Sequence, residues 1–156
     1  MAGRFKVAVD GGSRGNPGPA AWAVVVLDDE GAVAEGHAGF LGPATNNVAE
    51  YQGLIEALRL ARERCATAVE VRADSELVVR QMQGRYRVRH PALVPLWQEA
   101  VRLASSFPSF RIVHVPRGEN KEADRLVNAA LDRAAALPGE PVRIREGRTC
   151  LEAPPA

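Results

Sequence analysis

The sequence predicts a mixed α/β sheet with helices on its faces, and three observations carry that prediction. The first forty residues fall into three apolar or alternating blocks separated by turn signals, as antiparallel strands do. After Gly42-Pro43 the apolar spacing becomes helical. From there strand-like and helix-like blocks alternate, the pattern of βαβ units.

The first strand is FKVAVD (5–10), with Phe5, Val7 and Val9 on one face and Lys6, Ala8 and Asp10 on the other. The Gly/Pro-rich stretch GGSRGNPGP reads as a loop and AAWAVVVLD as a second strand. After the turn Asp29-Glu30-Gly31, AVAEGHAGFL is a third. Short turns make these three an antiparallel meander. Residues 46–64 place Tyr51, Leu54, Ile55 and Leu58 at helical spacing. AVEVRAD (68–74) is a short strand running into a helix, SELVVRQMQ, that stops at Gly84. RYRVRHP is a basic connection, and residues 92–105 form a further amphipathic helix. FRIVHVP (110–116) is a last strand and residues 120–136 a last helix. One domain is expected over residues 1–137. The remainder, 138–156, lacks a clear period, ends in APPA and is expected to be a partly disordered tail.

A chain of 156 residues with 46% hydrophobic residues is large enough to bury one sizeable core. Lys plus Arg is 20 and Asp plus Glu is 19. That balance excludes binding nucleic acid by gross cationic charge, as a basic arm does, and leaves a local site open. No apolar run reaches the ~20 residues of a membrane span, and MAGRFKVAVD lacks the pattern of a secretory signal, so a cytoplasmic protein is expected. Cys65 and Cys150 stand in no CxxC, which reads as two unpaired thiols in a reducing compartment. With His37, His90 and His114 equally scattered, no zinc cage is expected.

Most acidic residues sit in turns or on solvated helix faces, but four do not. Asp10 ends the first strand before the glycine-rich stretch, and Asp74 ends the fourth before a helix. Strand C-termini of such sheets are where ligand crevices open. Alone, Asp74 also reads as a helix N-cap, a task its neighbour Ser75 performs equally well. Glu50 lies off the solvated stripe of Gln52, Glu56, Arg59 and Glu63 and beside Gly53, Ala57 and Ala61. Small residues there let the helix approach the sheet closely. Asp124 sits about 20° from Leu131, at the margin of the apolar face of the last helix. An acid beside a core face must be paired, protonated or bound to a cation. Four of them in one pocket would raise one another's pKa values, and divalent cations remove that penalty. All-oxygen ligands suit Mg²⁺ or Mn²⁺. Two such ions about 3.5–4 Å apart serve in-line phosphodiester cleavage. The pattern points to metal-dependent phosphoryl transfer.

Four segments, VDGGSRGNPGPAAWAVVV, TNNVAEYQGLIEALRLA, VRADSELVVRQMQG and VPRGENKEADRLVNAAL, resemble in this order the catalytic segments of type 1 ribonuclease H. The resemblance covers roughly residues 5–136. It implies the ribonuclease H-like fold, a five-stranded mixed sheet of three antiparallel strands and then parallel βαβ units, with helices on both faces. It implies hydrolysis of the RNA strand of RNA–DNA hybrids to 5′-phosphate and 3′-hydroxyl ends. It makes Asp10, Glu50, Asp74 and Asp124 the ligands of two Mg²⁺ or Mn²⁺ ions. Asp10 would bridge both, with Asp74 and Glu50 completing one site and Asp124 the other. Contacts to the RNA 2′-hydroxyl fall by resemblance to Glu50 and to groups at Gly11, Gly12, Ser13, Asn16, Asn46 and Asn47. By residue type alone, Asn46 and Asn47 also read as helix caps. The expected enzyme is a monomer acting on a hybrid, with no membrane and no obligate protein partner.

The family also places a mobile His or Arg before the last catalytic Asp, where it aids proton movement and product release. His114, ten residues before Asp124, has the spacing of one version, yet alternates with Phe110 and Ile112 as a strand residue does. Arg117, in VPRGENKEAD, fits the other version and is the preferred candidate. The glycine-rich stretch matches neither GxGxxG nor GxxxxGK followed by Ser or Thr, which argues against a dinucleotide or P-loop site. RYRVRHP stands where the best-studied bacterial members carry a longer basic helix and loop. Arg85, Arg87 and Arg89 are left as a reduced phosphate-binding edge, and weak, salt-sensitive binding is expected. Glu76 stands where many members have Gln. A hybrid-binding module without turnover would be expected to lose one of the four acids. A 3′–5′ exonuclease would need a site for a free 3′ end.

Overall fold

The computed structural model describes residues 3–147. β1 (Arg4–Ser13), β2 (Gly18–Leu27) and β3 (Val33–Ala44) form the antiparallel meander that the turn signals predict. α1 (Asn46–Glu63), β4 (Ala68–Ala73), α2 (Glu76–Met82), α3 (Val94–Ser105), β5 (Ser109–His114) and α4 (Lys121–Ala136) follow. The strand order is β5-β4-β1-β2-β3, with β1–β4 and β4–β5 parallel, closed on the far side by a sixth strand, β6 (Arg143–Gly147).

Alternation in β1 divides the interior in two. Phe5, Val7 and Val9 face α1, α2 and α3, where Leu54, Leu58, Val71 and Leu103 complete the larger core. The opposite face of β2 and β3 presents Ala21, Ala23, Val25 and Ala38 to Leu126, Val127 and Ala130 of α4. β2 lies mid-sheet between β1 and β3 and is apolar on both faces, which explains its unbroken hydrophobic run.

Two expectations are corrected. The sheet has six strands rather than five, because the beginning of the expected tail pairs antiparallel with β3, Ile144 opposite Ala38. Val142 and Ile144 are buried beneath α4, an anchor too short to show as a period. The glycine-rich stretch is also not all loop. Gly11, Gly12 and Ser13 continue β1, paired with Trp22, Ala21 and Ala20, because β2 supplies the ladder partners that glycines do not select on their own. Cys65 is free and exposed, whereas Cys150 lies outside the described residues, as do residues 148–156 generally. No helix among the described residues is long and apolar enough to cross a membrane.

Candidate active site

Parallel pairing of β1 with β4 runs up to Val9 opposite Ala73. The next residue on each strand, Asp10 and Asp74, therefore emerges side by side at the C-terminal edge of the sheet. Ser75 caps α2 by accepting the Val78 N–H at 3.2 Å, so capping is not the task of Asp74. Asp74 Oδ2 is buried with no hydrogen-bond partner.

Glu50 reaches the pair because α1 lies almost on β1. A Cβ on Gly11 would collide with the Ala49 carbonyl and the Glu50 amide, and one on Gly53 would lie 2.6 Å from the Asp10 carbonyl oxygen. Glycine is required at both contacts for steric reasons. Ligand oxygens of Asp10, Glu50 and Asp74 consequently lie within 4.8 Å of one another.

Three carboxyl groups so close cannot all ionise easily. Burial, then the Asp74 charge, push Asp10 up to about 7, against the hydrogen bonds it accepts from Glu50 and from the Gly11 N–H at 2.9 Å. Burial and the charges of Asp10 and Asp74 push Glu50 well above the usual carboxylate range, so it keeps the proton that it shares with Asp10. An all-oxygen donor set with an orphaned buried oxygen and strongly resisted ionisation fits an oxygen-preferring divalent cation.

Asp124 stands apart from this trio. It is exposed in the first turn of α4, on the same cleft, and its charge adds to the upward shift of Asp10. Arg117, on a short 3₁₀ turn, also lines the cleft. His114 does not; it is exposed at the end of β5, opposite Ala73.

At the cleft's rim the expected substrate contacts divide. Gly11, Gly12, Ser13 and Asn46 line it. Asn46 Oδ1 accepts the Ser13 N–H at 2.8 Å and its hydroxyl at 3.1 Å, and the Asn46 N–H donates to Asn16 Oδ1 at 3.1 Å. Asn16 thus supports the rim from behind, and Asn47 is exposed outside it. Neither Asn46 nor Asn47 is the cap of α1, because Thr45 Oγ1 accepts the Val48 N–H at 3.2 Å. Residue types had left this open.

Sequence reasoning missed Arg14 and Asn128, which line the cleft joined by a 3.2 Å hydrogen bond, and buried Asn120. Asn120 was visible in VPRGENKEAD, but its partner, the Val9 carbonyl, lies 111 residues away.

The chain matches a family described as reverse transcriptase-like over residues 8–130. It is 48% identical over 142 residues to the bifunctional protein Rv2228c of Mycobacterium tuberculosis, covering 88% of this chain and 39% of that protein. Ribonuclease HI of Halobacterium salinarum is 46% identical over 134 residues, covering 85% and 66%. The chain spans about two fifths of the length of the mycobacterial relatives it matches. Among solved structures, RNase H1 from Halobacterium salinarum superposes with a TM-score of 0.81 at 42% identity, over 85% of this chain and all of that one (100%). LC11-RNase H1 in complex with RNA/DNA hybrid gives 0.80 at 42%, over 84% and 99%. The mixed sheet with an acidic cleft at its edge is therefore a ribonuclease H-like domain. The chain belongs to the type 1 ribonuclease H family.

Proposed function

We propose that this chain is an endoribonuclease that hydrolyses the RNA strand of RNA–DNA hybrids, leaving 5′-phosphate and 3′-hydroxyl ends. The observation that carries the reading is the trio Asp10, Glu50 and Asp74, gathered within 4.8 Å, two of which, Asp10 and Glu50, line a cleft shared with Asp124 and Arg117. The relative crystallised with an RNA/DNA hybrid supports the substrate class.

Asp10, Glu50, Asp74 and Asp124 would hold two Mg²⁺ or Mn²⁺ ions, which supply a nucleophilic water at neutral pH and a counter-charge for the leaving oxygen. In the net reaction a water oxygen bonds to phosphorus, the P–O3′ bond breaks and one proton of that water ends on O3′, so the phosphate stays on the 5′ end of one product and the other ends in a 3′-hydroxyl. With the ions bound, Glu50 would release to solvent the proton it shares with Asp10 and serve as a carboxylate ligand. The Ser13 hydroxyl and the Asn46 amide stand at the rim, where a 2′-hydroxyl separates RNA from DNA. Arg117 carries a planar guanidinium whose forked donors match phosphate oxygens, so its part is to neutralise phosphate charge as product departs. The enzyme is proposed to act as a monomer in the cytoplasm. Large exposed hydrophobic side chains among the described residues are limited to Val33, Tyr86 and Leu137, scattered rather than a patch.

Cleavage of a labelled RNA–DNA hybrid, a matched RNA duplex and single-stranded RNA, each with Mg²⁺, Mn²⁺ or EDTA, tests the reading. Metal-dependent internal cleavage of the hybrid is expected. Its absence would end the proposal.

A further inference from the structure

Among the described residues the buried polar or charged side chains are Asp10, Glu35, Gln81 and Asn120. Asp10 belongs to the acid trio, Glu35 takes the Arg64 fork at 2.6 Å and His37 Nε2 at 2.7 Å, and Asn120 holds the Val9 carbonyl. Gln81, in α2, is left over. It is 4% exposed and meets the fully buried Tyr51 of α1. The Tyr51 hydroxyl donates to Gln81 Oε1 at 2.5 Å, and Gln81 Nε2 donates to the Arg87 carbonyl oxygen at 3.4 Å. That carbonyl can only accept, so the amide nitrogen faces it and the amide oxygen faces Tyr51. The hydrolysis proposed above uses neither side chain.

Both residues stand next to the backbone that carries an acid. Tyr51 directly follows Glu50 on α1. Asp74 is the joint between β4 and α2, since β4 ends at Ala73 and Ser75 caps the helix. The strand side of that joint is fixed, because the Ala73 carbonyl oxygen accepts the Val115 N–H at 2.9 Å. Asp74 Oδ2 has no hydrogen-bond partner to aim it, so the backbone on either side sets its direction. The helix side depends on packing, because the seven residues of α2 are too few to hold a helix alone. Buried Val78 and Val79 seat α2 in the larger core, but apolar burial is non-directional. A hydrogen bond is directional and fixes the rotation of the helix as well. At ~1.5 Å per residue Gln81 stands roughly 10 Å along from Asp74, and a helix of two turns moves as one piece. Holding Gln81 against Tyr51 therefore holds the start of α2, and Asp74 with it, against the turn of α1 that carries Glu50.

We propose that Tyr51 and Gln81 are positioning residues: their buried hydrogen bond sets Glu50 against Asp74, so that the acid trio is arranged for a divalent cation before one arrives. The inference rests on the activity proposed above. It concerns the spacing of ligand oxygens, and hence metal affinity, rather than contact with the hybrid.

The test is calorimetric titration of Mn²⁺ into hybrid-free protein, comparing wild type with Tyr51→Phe, Gln81→Met and the double variant. Each single variant is expected to bind Mn²⁺ about fivefold more weakly, less than the roughly 10–100-fold lost with a partner bonded directly to a ligand. The double variant should bind no more weakly than either single one, since each change removes the same bond. In cleavage assays the metal concentration giving half-maximal rate should rise by the same factor, with KM for hybrid at saturating metal within about twofold of wild type. Tyr51→Phe keeps the ring and its packing, so it carries the test if circular dichroism shows Gln81→Met unfolded. Ile144→Ala, which loosens the second core under α4, is the control for lost stability. It should lower the unfolding midpoint and leave Mn²⁺ affinity unchanged. Wild-type affinity in Tyr51→Phe, whatever its unfolding midpoint, makes the pair merely structural and overturns the proposal. An equal loss of affinity in Ile144→Ala overturns it too, because stability alone then accounts for the effect. Additive losses in the double variant overturn the shared bond as the cause. A wild type that binds Mn²⁺ and cleaves no hybrid overturns the underlying activity instead, and the calorimetric comparison still decides the pair.

Discussion

Asn120 Nδ2 donates a 2.8 Å hydrogen bond to the Val9 carbonyl oxygen, tying the start of α4 to the residue before Asp10. The side chain is 2% exposed, and its bond joins the strand of one cleft acid to the helix of another. Asn120→Ala should cost about 1–3 kcal/mol in urea unfolding, because it leaves a buried carbonyl unpaired. It should also lower kcat, since Asp124 sits one helical turn beyond this anchor. Unchanged kcat in a destabilised variant would show that the anchor serves the fold alone.

Gly11 and Gly12 should respond oppositely to alanine. At Gly11 the new methyl meets the backbone of Ala49 and Glu50, so α1 must move away from Asp10. Overpacking of that kind costs about 1–3 kcal/mol or more, and cleavage should disappear with it. At Gly12 the methyl would rest 3.5 Å from Val127 Cγ1, an ordinary contact. Unfolding midpoints of the two variants measure the contrast directly.

The pH dependence of the metal-free protein follows from the raised acids. Asp10 and Glu50 hold their protons to higher pH in the folded chain than in the unfolded one. Between about pH 4 and pH 7 the native state binds more protons, so these groups make stability fall as pH rises. Differential scanning of wild type against Asp10→Asn separates this effect from that of the exposed carboxylates. Added Mg²⁺ or Mn²⁺ should raise the midpoint more near pH 8 than near pH 5, because the ligands must be deprotonated. A larger metal effect at the lower pH contradicts the assignment.

Asp10→Asn should abolish cleavage while leaving hybrid binding largely intact. The same change removes a buried charge facing Asp74 and Asp124, so the metal-free variant should unfold at a higher temperature than wild type at about pH 8. A gain of roughly 2–4 °C is expected for each kcal/mol of repulsion relieved. Normal cleavage by Asp10→Asn would remove this residue from the chemistry.

Truncation after Leu137 should destabilise the domain strongly. It strips β6 from β3 and removes Val142 and Ile144 from beneath α4, at about 1.5–3 kcal/mol for each buried side chain. A truncated chain with an unchanged unfolding midpoint would return these residues to the status of a tail.

Much of this molecule is legible in local sequence. Alternation in FKVAVD sets the two faces of β1, and the change of period after Gly42-Pro43 marks α1. The position of Asp10 and Asp74 at strand ends follows from the same patterns, because each acid terminates an apolar alternation. β6 escaped notice because five residues on a sheet edge carry too little alternation to stand out. Arg14, Asn120 and Gln81 escaped because their partners are distant in the chain: Asn128, the Val9 carbonyl and the Tyr51 hydroxyl. A side chain's type tells that it needs a partner, but not which one.

By itself the sequence determined the order of elements as far as α4 and the two faces of β1, and it singled out four candidate acids, since periodicity and residue chemistry are local properties. Only the tertiary structure decided that three of the acids form a tight trio, Asp10 buried and Glu50 and Asp74 half-buried, while Asp124 stands at its margin. It likewise placed Arg117 in the cleft and His114 outside it, and gave the capping of α1 to Thr45. These outcomes depend on how closely α1 and α4 approach β1. That approach is set by glycine contacts and a hydrogen bond between residues far apart in the chain, which no local pattern encodes.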